Sequence, residues 1–372
     1  MILQTISDLA RDALQTGFRL APWPTEPGLR QIGKPGPLSP VLITCNFDLT
    51  VRRVMRAMRG VDAWLVVAPS SGINVWCAAS GGHLSTHQVV TALKTSGVAE
   101  RVQHRRAILP QLAATGVLAR EVERRSHWQV KFGPVYANDI PRYLAQHEQK
   151  TDDMRHVQFG IRERLEMATV WAVPMTLLAA IPVLALRPSW LLPLIAMVWA
   201  LAIAVFTVYD RLLRQSFIRL ALIASLTPLA LAAIAGAGTA ALIAAPLAGI
   251  AFSALLTFDY SGSTPIEGGS HFKEARWHIK LDLDRCKGVY FCWQVCPEAC
   301  FDKREDVRKV EIARSDRCIR CGACVVQCPT DALAFEDESG NRIEPETIRR
   351  FKLNLLGKRT VDAGGAGATL TT

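Results

Sequence analysis

The sequence predicts an N-terminal α/β domain, a segment of four transmembrane helices and a small C-terminal α+β domain. Three observations carry this. Strand-like apolar runs alternate with helical patterns over residues 1–150, four long apolar runs follow within 169–258, and eight of the ten cysteines fall between Cys286 and Cys328. A chain of 372 residues has room for more than one domain. Its mean hydropathy is positive, at +0.17, and half of it is hydrophobic, which is unusual for a purely soluble protein.

In the first region, VLITCNF (41–47) and AWLVVAP (63–69) read as buried strands, because short continuous apolar runs suit a sheet covered on both faces. EPGLRQIGKPGPLSP (26–40) reads as a Gly/Pro-rich entry loop. Ser85 and Gln88 make an S-x-x-Q capping box that opens a helix carrying VVTALK. A second helix is expected over 111–126, a strand over 128–135 and a helix over 140–147. Such alternation predicts a mostly parallel sheet. Sheets of this kind bind ligands at the loops after their strands. Residues 72–82, GINVWCAASGG, form such a loop and hold a single cysteine, Cys77. A free cysteine in an apolar run also packs as a small hydrophobe, so the loop alone leaves its role open.

Residues 151–168 are charged and helical in character and read as a connector. The runs 169–186, 190–209, 220–235 and 239–258 are apolar and almost free of internal charge. A bilayer core needs about 20 helical residues. The third run reaches that only by extending past Arg219, whose side chain snorkels. Arg155, Arg162 and Arg164 precede the first run, and Arg211, Arg214 and Arg219 lie in the second loop. The first loop has only Arg187 and the third has no basic residue. The positive-inside rule therefore predicts a multi-pass inner-membrane protein with both termini cytoplasmic. Transport pathways usually carry ionisable residues, which these runs lack. The small-residue stretch at 232–249 permits close helix approach.

Net charge is +10. No basic block interleaves with aromatics, so membrane lipid rather than nucleic acid is the expected partner. The opening 20 residues are amphipathic and lack the apolar core of a signal peptide, so clustered thiols read as metal ligands before disulfides.

After a linker (259–280), residues 281–340 carry the cysteines. CIRCGACVVQCP (318–329) is C-x2-C-x2-C-x3-C-P, the bacterial-type ferredoxin run, in which three thiolates grip one cubane and the fourth serves its neighbour. CKGVYFCWQVCP (286–297) is the same run with Val289 at the second ligand position. Cys318, Cys321, Cys324 and Cys296 thus complete one [4Fe–4S] site, and Cys286, Cys292 and Cys328 supply three ligands of a second. Valine cannot bind iron. The second site is expected to hold a [3Fe–4S] cluster or a [4Fe–4S] cluster with a labile iron, or to be empty. Cys300 is either a core thiol or a recruited replacement ligand. Residues 341–372 read as a helix, PETIRRFKLNLL, and a disordered tail. A ferredoxin tethered to an α/β domain implies something there to reduce, and soft thiolates suit redox-active transition metals, which makes Cys77 a candidate ligand.

These stretches carry a resemblance. SPVLITCNFDL (39–49) resembles the corrinoid-binding domain of the corrinoid iron–sulfur proteins of acetyl-CoA metabolism. GINVWCAA (72–79) resembles more closely the cap-helix motif of the mercury-methylating corrinoid membrane protein family, as do HRRAILPQLAATGV (104–117), KFGPVYANDIPRYL (131–144) and SGSTPI (261–266). The C-terminal region resembles that family's separate two-cluster ferredoxin, here fused. The resemblance implies a cobalamin-type corrinoid with Cys77 as its lower axial thiolate, held in a binding stretch formed by Asn74, Val75, Trp76, Cys77, Ala78 and Ala79. It implies corrinoid-dependent methyl transfer from a folate-type donor or its methyltransferase, release of the methyl group as a carbanion equivalent, and Hg(II) as acceptor. An electron donor would serve the ferredoxin, which reduces the cobalt. Two departures stand out. The family usually continues A-G-K-G-T-F-G-T after the cap cysteine, whereas Ala79–Thr86 is ASGGHLST, without the lysine and with His83. The family's ferredoxin ends in a vicinal cysteine pair, and DAGGAGATLTT has none. These departures keep open another acceptor. They also leave an alternative from a different class, a membrane-bound Fe–S electron carrier whose corrinoid domain is degenerate or repurposed.

Overall fold

The computed structural model describes residues 2–208, 217–234, 236, 238–263, 277–351, 361–362 and 369–370. They fall into two compact units. One comprises Met1–Ala21 and Gln158–Thr264, the other Pro22–Val157 and Pro265–Thr372. Helix α1 (Ile2–Gly17) therefore belongs with the apolar helices and not with the α/β domain, where a boundary at residues 1–150 put it.

The α/β domain runs β1 (Gly28–Ile32), β2 (Val41–Cys45), α2 (Asp48–Ala57), β3 (Ala63–Ala68), α3 (Val75–Gly81), α4 (Thr86–Thr95), β4 (Arg106–Leu109), α5 (Ala119–Ser126), β5 (Gln129–Phe132), α6 (Ile140–Ala145) and α7 (Asp152–Arg155). The sheet order is β1-β3-β2-β4-β5. Strands β2 to β5 are parallel, and β1 pairs antiparallel with β3. Every residue of β2 and β3 is buried, as expected of strands covered on both faces. Val41, Ile43, Cys45, Val66 and Ala68 pack with α3, α4 and α5 on one face. Leu42, Leu65, Val67 and Ile108 pack with Val51, Val54 and Met58 on the other. The chain winds one way from β2 to β3 and the other way to β4. The topological switch therefore lies at the carboxyl ends of β2 and β4, where such sheets bind ligands.

Two expectations for this domain are corrected. The entry loop at 26–40 contains β1, an edge strand in register with β3 from Gly28–Val67 to Ile32–Ala63. The helix expected over 111–126 is instead a 3-10 turn, Gln111–Thr115, followed by α5. The break has a steric cause at Gly116. A Cβ there would lie 2.5 Å from the carbonyl oxygen of Ala79 and 2.6 Å from that of Leu84, so the chain must pass this point as glycine.

The other unit holds α8 (Ile161–Leu186), α9 (Leu191–Val208), α10 (Phe217–Ile234) and α11 (Thr239–Ser263). Helix α8 starts inside the stretch read as a connector. Four helices occupy the four apolar runs, but the expectation of four spans is reduced. Among the described residues two helices, Ile161–Leu186 and Pro188–Val208, are long and apolar enough to cross a membrane, with hydropathies of 2.0 and 2.5. Arg219–Ile234 and Ala241–Thr257 are shorter apolar helices. Arg164 is buried and donates to the carbonyls of Phe206 and Thr207 at the end of α9, where a cation suits the helix dipole. At Gly249 a Cβ would lie 2.1 Å from the Ala224 carbonyl oxygen, so α10 and α11 approach closely, as the small-residue stretch predicts. Arg211 and Arg214, which entered the orientation argument, lie outside the described residues, as do 264–276 of the linker, which take in the last three residues of SGSTPI; its first three end α11.

The cysteine-rich domain comprises β6 (His278–Leu281), α12 (Phe291–Val295), β7 (Phe301–Arg304), β8 (Lys309–Ile312), α13 (Ala323–Gln327), β9 (Leu333–Glu336), β10 (Arg342–Ile343) and α14 (Pro345–Phe351). A sheet ordered β10-β9-β6 and a β7-β8 hairpin flank the two short helices, an α+β arrangement. The boundary at residue 340 is corrected. Arg349 on α14 donates to the carbonyls of Val325, Val326 and Cys328 and pairs with Asp331, so α14 closes this domain. Residues 352–360 of the expected C-terminal helix and most of the tail lie outside the described residues.

Candidate functional site

The loop after β3 is fixed by Asn46, at the end of β2. Its side-chain oxygen accepts from the backbone N–H of Ser70 at 2.8 Å and of Gly72 at 2.9 Å, and its amide nitrogen donates to the Thr25 carbonyl at 3.0 Å. Gly72 sits at φ +69°, and a Cβ there would meet Pro24 at 2.6 Å. This buried knot delivers the chain into α3. Asn74 is the N-cap of α3. Its oxygen accepts from the Cys77 N–H at 3.0 Å, and its Nδ2 lies 3.4 Å from Cys77 Sγ, in position to donate.

Of the six residues expected to bind a corrinoid, Val75, Trp76, Ala78 and Ala79 are buried in the α/β core. They hold the helix down. Cys77 is the only exposed residue of α3. An accessible thiol, steadied by an amide donor at the ligand-binding end of a parallel sheet, suits a soft-ligand transition metal such as cobalt. The filler reading of Cys77 does not hold for an exposed side chain. It does hold for Cys45, which is fully buried and whose thiol pKa is pushed up by that burial. His83 is exposed, with Nδ1 3.1 Å from Ser71 Oγ, on the loop that leaves α3.

The two cysteine runs fold as repeats. Cys292 and Cys324 lie on α12 and α13, and Cys296 and Cys328 follow at their C-caps, each with φ −68° and ψ 118°. Gly288 and Tyr290 in the first run and Arg320 and Gly322 in the second all have positive φ. The first run therefore keeps the backbone of the second, although Val289 replaces a cysteine. Cys321 is 8% exposed and Val289 is 45% exposed. Among the described residues no three His, Cys, Asp or Glu side chains converge on a single-ion position. Cys296, Cys318, Cys321 and Cys324 line one cavity, the four-thiolate set a cubane takes.

Cys300 lines that same cavity. Its backbone N–H donates to Cys296 Sγ at 3.4 Å. This corrects the expectation that it replaces Val289 at the second site, because it sits with the complete set. Hydrogen bonding to the Cys300 thiol holds the Cys296 pKa down to about 7 and lowers that of Cys318. Burial pushes Cys292 up to about 12 and raises Cys321 and Cys324 as well. These thiols must shed protons when iron binds, so cluster assembly is favoured as pH rises.

The preserved backbone around Val289 yields a prediction. Val289→Cys is expected to complete the second ligand set and raise the iron and sulfide bound per chain. Unchanged iron would mean that a thiol at position 289 adds no iron to the second ligand set.

The cysteine-rich domain is packed against the α/β domain through the Gln111–Thr115 turn and its continuation to Ala119. Gln327, at the end of α13, donates through Nε2 to the carbonyls of Ala114 at 2.8 Å and Val117 at 2.7 Å, and its Oε1 accepts from the Ala119 N–H at 3.3 Å. Gln111 donates to the carbonyls of Arg155 at 2.7 Å and Cys296 at 3.4 Å. The three donors of Lys150 meet Gln111 Oε1 and the carbonyls of Gly133 and Gln294, and burial, with Arg155 nearby, pushes its pKa down to about 7. Arg155 stacks 3.5 Å from the Trp293 ring centroid and donates to the Trp293 carbonyl. Its expected place as a membrane-flanking charge is thereby corrected. Ile319, Cys321 and Ala323 join the apolar core of the α/β domain, whereas Cys286, Cys292 and Cys328 belong to the core of their own domain. Gln327, Gln111 and Lys150 were not singled out from sequence. Nothing in a lone Gln or Lys marks an interface between segments some 200 positions apart.

Known proteins match in the same two places. Residues 9–144 match the family described as CO dehydrogenase/acetyl-CoA synthase delta subunit, and residues 314–334 match the 4Fe-4S binding domain family. The acetyl-CoA decarbonylase/synthase complex subunit gamma of Archaeoglobus fulgidus is 35% identical over 125 residues, covering 33% of this chain and 26% of that protein. Its counterpart in Methanothermobacter thermautotrophicus is 35% identical over 136 residues, covering 36% of this chain and 29% of that protein. The chain thus spans less than a third of the length of these relatives. The matches support a corrinoid-type N-terminal domain and a [4Fe–4S] domain near the C-terminus.

Proposed function

We propose that this chain is a membrane-anchored, corrinoid-dependent methyl carrier with its own electron-delivery domain. The observation that carries the reading is the Gln111–Thr115 turn. One side packs against the helix bearing Cys77, and the other against α12 and α13, which bear the cluster ligands. When bound, a corrinoid supplies a cobalt that accepts and gives up a methyl group, and a cubane supplies single electrons. Cys77, on the exposed face of α3, would supply a thiolate to the cobalt. The Asn74 amide steadies that sulfur. Val75, Trp76, Ala78 and Ala79 are buried and anchor the helix that carries the sulfur. Cys296, Cys318, Cys321 and Cys324 would hold the cluster in the cavity they line, and Gln327 and Gln111 keep that domain seated.

Membrane anchoring is supported by the outside of the helical unit. Leu178, Ile181, Leu192 and Ile234 are all more than 60% exposed, a surface that suits lipid tails and not water. The proposed location is the inner membrane with both termini cytoplasmic. Hg(II) is the acceptor and a folate-type compound the donor that the resemblance of GINVWCAA implies. Methylmercury formed from Hg(II), donor and reduced protein tests that acceptor, and none above a protein-free background removes it.

The carrier reading itself is tested by rapid reduction of the protein loaded with corrinoid and clusters. Cobalt reduction at a rate independent of protein concentration is expected for delivery within one chain. A rate rising in proportion to concentration contradicts it.

A further inference from the structure

We propose that Arg155 sets the reduction potential of the complete cluster, as a buried cation that the α/β domain contributes and that makes the cluster easier to reduce while the two domains are packed together. The proposal rests on the reading of Cys296, Cys318, Cys321 and Cys324 as a [4Fe–4S] site and goes beyond it, because it gives a role to a residue outside the cysteine-rich domain. Arg155 ends α7, and its side chain is 3% exposed. Its Nη1 donates to the Trp293 carbonyl at 2.6 Å, and the guanidinium lies 3.5 Å from the Trp293 ring centroid. Trp293 stands on α12 between Cys292 and Cys296. The backbone is pinned at the same place. Gln111 Nε2 donates to the carbonyls of both Arg155 and Cys296, and the Val157 N–H donates to the Pro297 carbonyl at 3.0 Å.

What marks Arg155 is a charge that its surroundings leave poorly balanced. A buried cation is costly unless it is paired and hydrogen-bonded. Its carboxylate partner, Asp152 at 2.6 Å, has a side chain 78% exposed, so water screens that pair. Its Nε is buried and makes no hydrogen bond among the described residues. Arg314, by contrast, holds Asp302 with both terminal nitrogens. A cubane with four thiolate ligands is net negative in either oxidation state and gains a further negative charge on reduction. A buried guanidinium beside it therefore stabilises the reduced state more, which raises the potential.

The electron comes from the chain's one-electron donor, and the cluster gains one negative charge without taking up a proton. If Arg155 favours the reduced cluster, thermodynamic reciprocity requires the reduced cluster to favour Arg155 in place. Reduction thus tightens the packing of the cysteine-rich domain on the Gln111–Thr115 turn. The raised potential favours filling the cluster, at the expense of driving force toward the cobalt.

The test uses the full chain, purified anaerobically in detergent. The [4Fe–4S] EPR signal is followed through a redox titration at about pH 9, where Lys150, whose pKa burial pushes down to about 7, is uncharged. Arg155→Gln and Arg155→Met both remove the charge, and the methionine thioether suits an aromatic neighbour such as Trp293. Each is expected to lower the equilibrium constant for reduction at least tenfold, a potential about 59 mV more negative. Loosening of the interface alone would admit water, which favours the more charged reduced state and moves the potential the other way. In the unsubstituted protein, amide hydrogen exchange at residues 111–119 is expected to be slower with the cluster reduced than oxidised, and both variants are expected to lose that difference. One variant with its iron intact and a lowered potential suffices to support the proposal. An unchanged or raised potential in a variant that keeps its iron would overturn it, as would equal exchange in the two oxidation states of the unsubstituted protein. Loss of the cluster from both variants would also overturn it, by making Arg155 a structural residue only. An unsubstituted protein without iron would instead overturn the cluster reading on which the proposal rests.

Discussion

Cys77→Ala is expected to shift the visible spectrum of the bound corrinoid and to stop methyl transfer, with iron content and fold unchanged. The loss should exceed the roughly 10–100-fold that removing an outer-layer partner of a metal ligand costs, because a ligand itself is removed. Stability should barely move. Cys77 is exposed, the Asn74 cap bonds to its backbone N–H, and alanine favours the helix. Anaerobic absorption spectra and methyl-transfer assays on the two proteins check this. An unchanged corrinoid spectrum would remove Cys77 from the mechanism.

The second large effect is expected at Gln327. Its side chain makes three hydrogen bonds to the turn and α5 start of the α/β domain and is itself buried. Gln327→Ala strands two carbonyls and one N–H in a dry interface, each costing about 1–3 kcal/mol when left unpaired. The cysteine-rich domain should loosen from the turn without losing its clusters, since Gln327 is not a ligand. Hydrogen exchange at residues 111–119 should accelerate by at least tenfold, for about 1.4 kcal/mol of lost protection. Cobalt reduction should slow while iron content holds. Unchanged exchange would mean that the apolar contacts of Ile319 and Ala323 seat the domain by themselves.

Much of this arrangement is legible in the sequence where local chemistry specifies it. β2 and β3 read correctly because both faces are buried and the residues run apolar without interruption. The capping box of Ser85 and Gln88 is present as predicted. The two cysteine runs carry their own spacing, and the repeat of positive φ at Tyr290 and Gly322 follows from it. What escaped was set by distant contacts. β1 lies in a Gly/Pro-rich stretch whose strand character comes from pairing with β3. The helix at 111–126 breaks because Gly116 must pass the backbone of α3. Spacing alone leaves Cys300 open between core thiol and replacement ligand, because it does not say which cavity the residue lines; the fold places it with Cys296 and Cys318. Gln327 and Lys150 gain their roles only when the two domains meet. The four apolar runs are helical, but their lengths within the described residues qualify two of them as spans.

The central claim is that one chain joins a corrinoid held by Cys77 to iron–sulfur clusters packed on the same turn. The most direct measurement is the cobalt, iron and sulfide content of protein purified anaerobically in detergent with corrinoid supplied, together with its visible spectrum. The account predicts cobalt in near-equal amount with the chain, alongside iron and sulfide. Iron and sulfide without cobalt, even after reconstitution, would contradict it and leave an electron carrier whose GINVWCAASGG loop no longer binds a corrinoid.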